Sequence, residues 1–167
     1  MKTLGVMAAV VLVGVGVLVG YFAAQGHVSA ASDELTAQDY ADIQQLYWRY
    51  NHGADFGDAD LFVSAFTDDA FVKSSNGQEY VGKEEINEFI SGSLAQMPSG
   101  DTGRRHWNNG WRITPSPDGA RGRTYWLLID VGTGQPTNDR SGYYEDVYVK
   151  TSEGWRIKSR MILGDDR

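Results

Sequence analysis

From Tyr40 onward, apolar side chains recur every three or four residues, at Tyr40, Ile43, Tyr47, Tyr50 and Ala54, with Leu46 broadening the stripe. That spacing predicts a helix with one buried face. Thr36 is its expected N-cap, Asp39 sits favourably in the first turn, and Gly57 marks its end. Asp58 is expected to cap a second, short helix carrying Leu61, Phe62, Ala65 and Phe66. Thr67-Asp68-Asp69 then turns the chain into a short strand over 70–73, and Ser75-Asn76-Gly77 supplies a hairpin turn. A third helix is introduced by Gly82-Lys83, carries Ile86, Phe89, Ile90 and Leu94 on one face, and is stopped by Pro98 and Gly100. The polar stretch 97–104 reads as a mobile loop.

The pattern changes at His106. Strands are expected over 106–113, 121–131, 143–151 and 155–163, separated by turn signals at 115–119, 132–142 and 152–154. Helices first and long antiparallel strands afterwards predict an α+β domain. One curved sheet would have a face closed by the helices, with a cavity between the layers.

The amino terminus follows a different rule. After Lys2, residues 4–24 are an unbroken run of apolar residues, glycines and one tyrosine, and Val28-Ser29-Ala30 is a small-x-small sequence. Residues 1–31 are therefore expected to be an export signal or, uncleaved, a membrane anchor. Either role puts the domain over 32–167 in the periplasm or outside the cell, or tethers it to the inner membrane. Only residues 4–24 would touch a membrane.

Charge and composition narrow the partners. The chain of 167 residues carries a net charge of −7, and loss of Lys2 with the leader would make it −8. That acidity disfavours nucleic acid and anionic lipid surfaces. There is no cysteine, which removes disulfides and thiolate metal sites. The acids of 55–69 lack the spacing of a calcium loop, and the glycines of 119–122 and 132–134 open no helix that could cradle a phosphate. No metal or cofactor is expected. Five Trp and nine Tyr suit a concave apolar pocket for a small apolar or aromatic molecule.

Two segments carry the candidate chemistry. Asp55 ends the first helix, where a carboxylate is electrostatically unfavourable and needs a compensating partner. His106 opens the first long strand. His27 lies in the leader, and His52 on the helix face away from the Tyr47–Tyr50 stripe. An Asp and a His brought together in an apolar pocket make a general-base pair, the carboxylate orienting the imidazole and stabilising its protonated form. A regular strand would put Asn108, Gly110 and Arg112 on His106's face and Asn109 on the other. The same rule pairs Arg160 with Arg156, opposite Trp155 and Ile157.

The segments Ile43 to Tyr50, Asp55-Phe56-Gly57-Asp58 and Phe66-Thr67-Asp68-Asp69-Ala70, with Gly82, His106 and Asn109, Tyr144 and Asp146, and Gly154-Trp155-Arg156-Ile157 with Arg160, occur in a telling order. Together they resemble the SnoaL-like branch of the nuclear-transport-factor-2-like (NTF2-like) cone-shaped folds, and within it the scytalone dehydratase and dehydrochlorinase group. The resemblance implies a strongly curved sheet around a cavity closed by about three helices, and a homo-oligomer formed through the open sheet face. It implies His106 as base and Asp55 as its orienter; Tyr50, read from its place on the buried stripe rather than from the family, is a candidate polarising hydroxyl. The family pattern favours Asn109 in the pocket and gives Arg160 a place at the cavity rim or in an ion pair with Asp146, while Tyr47 and Trp126 are the aromatic residues expected against the substrate. The activity implied is cofactor-independent elimination or isomerisation; the alternative is a non-catalytic binding or scaffold domain, since the fold hosts both.

Overall fold

A computed structural model describes residues 34–96, 101–132 and 134–165; the leader, with its cleavage or anchoring, and the 97–100 part of the expected loop lie outside the described residues. Helix α1 runs Ala37–Phe56, α2 Ala59–Val63 and α3 Gly82–Leu94. The strands are β1 Phe66–Lys73, β2 Glu79–Val81, β3 Arg104–Ser116, β4 Gly119–Asp130, β5 Thr137–Thr151 and β6 Gly154–Gly164. They form one sheet in the order β2-β1-β6-β5-β4-β3, antiparallel throughout except where β1 runs parallel to β6. The expected α+β arrangement holds. Among the described residues no helix is long and apolar enough to cross a membrane.

Helix α1 starts as its sequence dictates. Thr36 and Asp39 form a capping box, the Thr36 hydroxyl accepting the Asp39 N–H while the Asp39 carboxylate accepts the Thr36 N–H at 2.9 Å. That carboxylate also takes the Trp155 indole N–H at 2.9 Å and the Lys150 ammonium at 2.7 Å, so the helix start is tied to β5 and β6. The Lys150 contact, helped by Thr36 and Trp155, holds the Asp39 carboxyl well below the usual carboxylate range. Ile43, Leu46, Tyr47 and Tyr50 are buried as the periodicity requires. Tyr40 is not; it sits half-exposed at the edge of the stripe, its hydroxyl donating to the Ile113 carbonyl at 3.3 Å.

Helix α2 turns back tightly on α1. A Cβ at Gly53 would lie 2.5 Å from the Phe62 nitrogen and 2.7 Å from the Asp58 carbonyl oxygen, so only glycine permits the approach. Asp58 caps α2 as expected, accepting the Leu61 N–H at 2.8 Å. The helix is shorter than the periodicity predicts, because Ala65 and Phe66 are drawn into the sheet. The Ala65 carbonyl accepts the Ile157 N–H at 2.8 Å, and Phe66 pairs with Ile157. Strand β1 thus begins before the expected turn at Thr67-Asp68-Asp69, which survives as a register shift between Phe66 and Phe71.

Two further differences matter for the interior. Strand β5 begins at Thr137, inside the expected 132–142 turn; the polar segment Thr137–Gly142 lacks alternation but hydrogen-bonds along β4 from Asp130 to Trp126. Strand β6 carries a bulge at Lys158, since Ser159 pairs with Val147 while Ile157 pairs with Tyr148. One extra residue reverses the alternation beyond it. Arg160 therefore points inward with Trp155 and Ile157, not outward with Arg156.

Candidate active site

The end of α1 and the start of β3 meet along a polar ladder. Asn51 and Asp55, four residues apart on the helix, rise about 6 Å along one face. Asn108 and His106, two residues apart on the strand, are separated by about 6.7 Å on one face. The spacings match. The Asn51 amide donates to the Asn108 side-chain oxygen at 2.6 Å, and Asp55 meets His106 twice. One Asp55 oxygen lies 2.6 Å from His106 Nδ1, and the other accepts the His106 backbone N–H at 2.9 Å.

The carboxylate at the helix terminus thus has the partner its position demanded. Its backbone carbonyl is satisfied as well, accepting the Thr102 N–H and the Thr102 hydroxyl, each at 3.0 Å. A carboxylate accepts only, so it fixes the hydrogen of neutral His106 on Nδ1 and leaves Nε2 with a free lone pair. Asp55 is buried and the His106 ring is largely so. Tyr50 packs edge-on against the imidazole with ring centres 6.0 Å apart.

His106 and Tyr50 line a cavity of about 320 Å³ inside the cone. Ala54, Phe62, Phe89, Ile90, Leu94 and Leu128 make most of its apolar wall, and Ser74, Ser75 and Asn76 of the β1–β2 turn face it across the opening. The volume lies at the small end of the range for ligand pockets. Burial pushes the Tyr50 phenol up, against the opposing effect of Arg160, so it stays a neutral donor. On the outer side, Asp55 and His106 also border a shallower groove between α1 and β3 with Trp48, Trp107 and Trp111.

The remaining expected site residues lie elsewhere. Asn109 is exposed, and its side-chain oxygen accepts the N–H of Gly110 at 2.7 Å. Asn108 is the residue on His106's side. The bulge that follows is built on Gly110, whose φ of 66° and contact with the Tyr125 ring exclude a side chain. Trp126 is buried and stacked on Tyr144, ring centres 6.0 Å apart, rather than lining the cavity.

Tyr47 and Arg160 belong to a buried network beneath the cavity. Arg160 grips Asp146 in a two-point pair, Nε to Oδ1 at 2.9 Å and Nη2 to Oδ2 at 2.7 Å. The Tyr47 hydroxyl lies 2.6 Å from Asp146, 2.5 Å from the Tyr148 hydroxyl and 2.9 Å from that of Thr124. The guanidinium also faces the rings of Tyr47, Tyr50 and Tyr144, 4.1 to 4.9 Å from their centres. Burial alone disfavours that cation, but Asp146 outweighs it and raises the Arg160 pKa well above its ordinary value. These residues support the cavity from below.

A family model of the SnoaL-like domain matches residues 35–161. The chain belongs to the SnoaL-like domain family. The SnoaL-like fold is also that of solved structures with low sequence identity. A Nostoc punctiforme protein of unknown function with a cystatin-like fold is 24% identical, with a TM-score of 0.70 over 80% of this chain and 96% of its own. An NTF2-like protein from Novosphingobium aromaticivorans is 22% identical, with a TM-score of 0.66 over 77% and 83% of the two chains. Aln2 from a Streptomyces species is 22% identical, with a TM-score of 0.69 over 79% and 94%. The six-stranded sheet and three helices are thus an NTF2-like cone, not closed into a barrel. No curated protein matches the chain.

Strand alternation already put Asn108 on His106's face, but sequence reasoning missed its contact with Asn51 and two cavity arginines, Arg104 and Arg140. The i,i+4 spacing of Asn51 and Asp55 against the i,i+2 spacing of His106 and Asn108 was the available signal for that contact. For Arg140 there was none, because its place depends on a β5 start that the sequence pattern conceals.

Proposed function

We propose that this SnoaL-like domain binds a small apolar or aromatic molecule and transfers a proton on it without a cofactor. The observation that carries the reading is the Asp55–His106 contact at the wall of an apolar cavity. His106 Nε2 would take a proton from a carbon next to an electron-withdrawing group. The electron pair left on carbon either moves into that group, giving isomerisation, or expels a β-leaving group, giving elimination. Asp55 stabilises the imidazolium so formed, which then returns its proton to the leaving group or to carbon. The neutral Tyr50 hydroxyl supplies a hydrogen bond to an oxygen gaining negative charge.

Hydrogen exchange tests this without knowledge of the natural substrate. Wild-type protein in deuterated buffer is incubated with a panel of small apolar ketones and β-hydroxy ketones, and deuterium at the α-carbon is followed by mass spectrometry. General-base assistance predicts exchange about 100-fold over buffer for panel members that fit. Exchange at the buffer rate across a panel whose members bind would instead make the domain a binding module.

A further inference from the structure

Among the described residues, the cavity of this acidic protein is lined by two arginines and by no carboxylate. The chain has 22 Asp and Glu against 15 Lys and Arg, yet among the described lining residues the charged side chains are Arg104 and Arg140 alone, apart from titratable His106. Their positions follow from strand register. His106 pairs with Leu128 on β4, and Leu128 pairs with Arg140 on β5, so the three form one row across the sheet. Directly paired residues face the same side. Two strand spacings put the Arg140 backbone about 10 Å from that of His106. Arg104 lies two residues before His106 on β3, again on the same face.

Neither guanidinium is firmly held by the protein. The ion-pair partner of both among the described residues is one carboxylate, Asp139, 4.0 Å from Arg104 and 3.7 Å from Arg140. Asp130, directly across from Arg104, instead accepts the Gly132 N–H at 2.9 Å. Arg140 and Arg104 remain about half-exposed, at 49% and 40% of their side-chain surface. Two loosely paired forks therefore stand at the open end of a cavity whose other walls are mostly apolar.

From this juxtaposition we infer that the cavity selects an amphipathic acid, an apolar or aromatic body carrying a carboxylate that Arg104 and Arg140 bind at the mouth. The inference rests on the reading of this cavity as the substrate site and adds the ligand's charge. A planar guanidinium matches a carboxylate with two parallel hydrogen bonds, which an ammonium cannot do. The apolar body then lies along Leu128, and the carbon presented to His106 is the one a few ångströms from the acid group.

The probes are 2-naphthoate and its neutral counterpart 2-naphthamide, titrated calorimetrically into the full chain at fixed salt. Naphthoate is expected to bind about tenfold more tightly than naphthamide. Arg104→Gln and Arg140→Gln should each weaken naphthoate roughly fivefold or more while leaving naphthamide unchanged, and Arg140→Lys should restore only part of the loss. Equal affinity for the two probes, a preference that survives the double glutamine variant, or no binding of either probe overturns the inference. Binding and exchange fail separately. An acid preference without hydrogen exchange sinks the proton-transfer reading alone, and exchange on neutral ketones without an acid preference sinks only the mouth.

Discussion

Asp55→Asn should remove nearly all of the roughly 100-fold exchange over buffer, in a protein that remains folded. The asparagine oxygen can still accept the His106 backbone N–H that Asp55 accepts at 2.9 Å, so the α1–β3 junction is kept. The other contact reverses. Where Asp55 stands 2.6 Å from Nδ1 as an acceptor, an amide NH₂ would donate to it. The imidazole hydrogen is then forced onto Nε2, and the nitrogen that should receive a proton already carries one. The imidazolium also loses its counter-charge. His106→Ala should cost at least as much by removing the base outright. The measurement is the exchange rate, with circular dichroism confirming the fold; an Asp55→Asn rate within threefold of wild type would sink the dyad mechanism.

Asp146→Asn is expected to cost about 3–5 kcal/mol of stability, because it leaves the fully buried Arg160 cation without its counter-ion. That is a large part of the roughly 5–15 kcal/mol available to a domain of this kind. The loss should appear as a fall of roughly 10–20 °C in Tm. The amide can keep its oxygen toward Tyr47 and Tyr148, whose hydroxyls Asp146 accepts at 2.6 and 3.1 Å, only by turning its NH₂ onto the Arg160 Nε–H. Removing both charges separates the ion from the packing. Asp146→Leu with Arg160→Met should recover at least half the loss, since an apolar pair of similar volume avoids the desolvation cost of a lone charge. A single variant that melts within 2 °C of wild type would show that Arg160 finds compensation elsewhere.

The sequence's legibility divided along a physical line. Periods were readable wherever one face was buried: the α1 stripe, the Ile86 and Ile90 face of α3, and the long strands all lie where apolar spacing puts them. The Thr36 and Asp58 caps were readable because the side chain itself makes the bond. The errors arise where one residue breaks a count. Strict alternation pairs Arg160 with Arg156, against the inward place its family position implies, and the Lys158 bulge resolves the conflict by turning it inside onto Asp146. The polar Thr137–Gly142 segment looked like a loop because its strand character comes from β4 rather than from its own pattern. The Asp55–His106 contact was visible as two positions in a family order, whereas Asn109, placed by the same order, faces away. Register between distant strands set the Arg104–His106–Arg140 arrangement, and no local pattern carries that information.

The contrast between a negatively charged chain and a cavity whose described lining carries arginines also bears on kinetics. An approaching anion first meets the field of a net charge of −7 and only at the mouth the pull of two guanidiniums. Repulsion at long range is screened within about 10 Å at 0.1 M salt, while contact pairs at the mouth are screened less. Added salt should therefore quicken the arrival of an acidic ligand while loosening its hold, the reverse of ordinary electrostatic steering. Stopped-flow mixing with naphthoate at two ionic strengths would show both effects; an arrival rate that falls with salt would mean that the mouth's local field already dominates the approach.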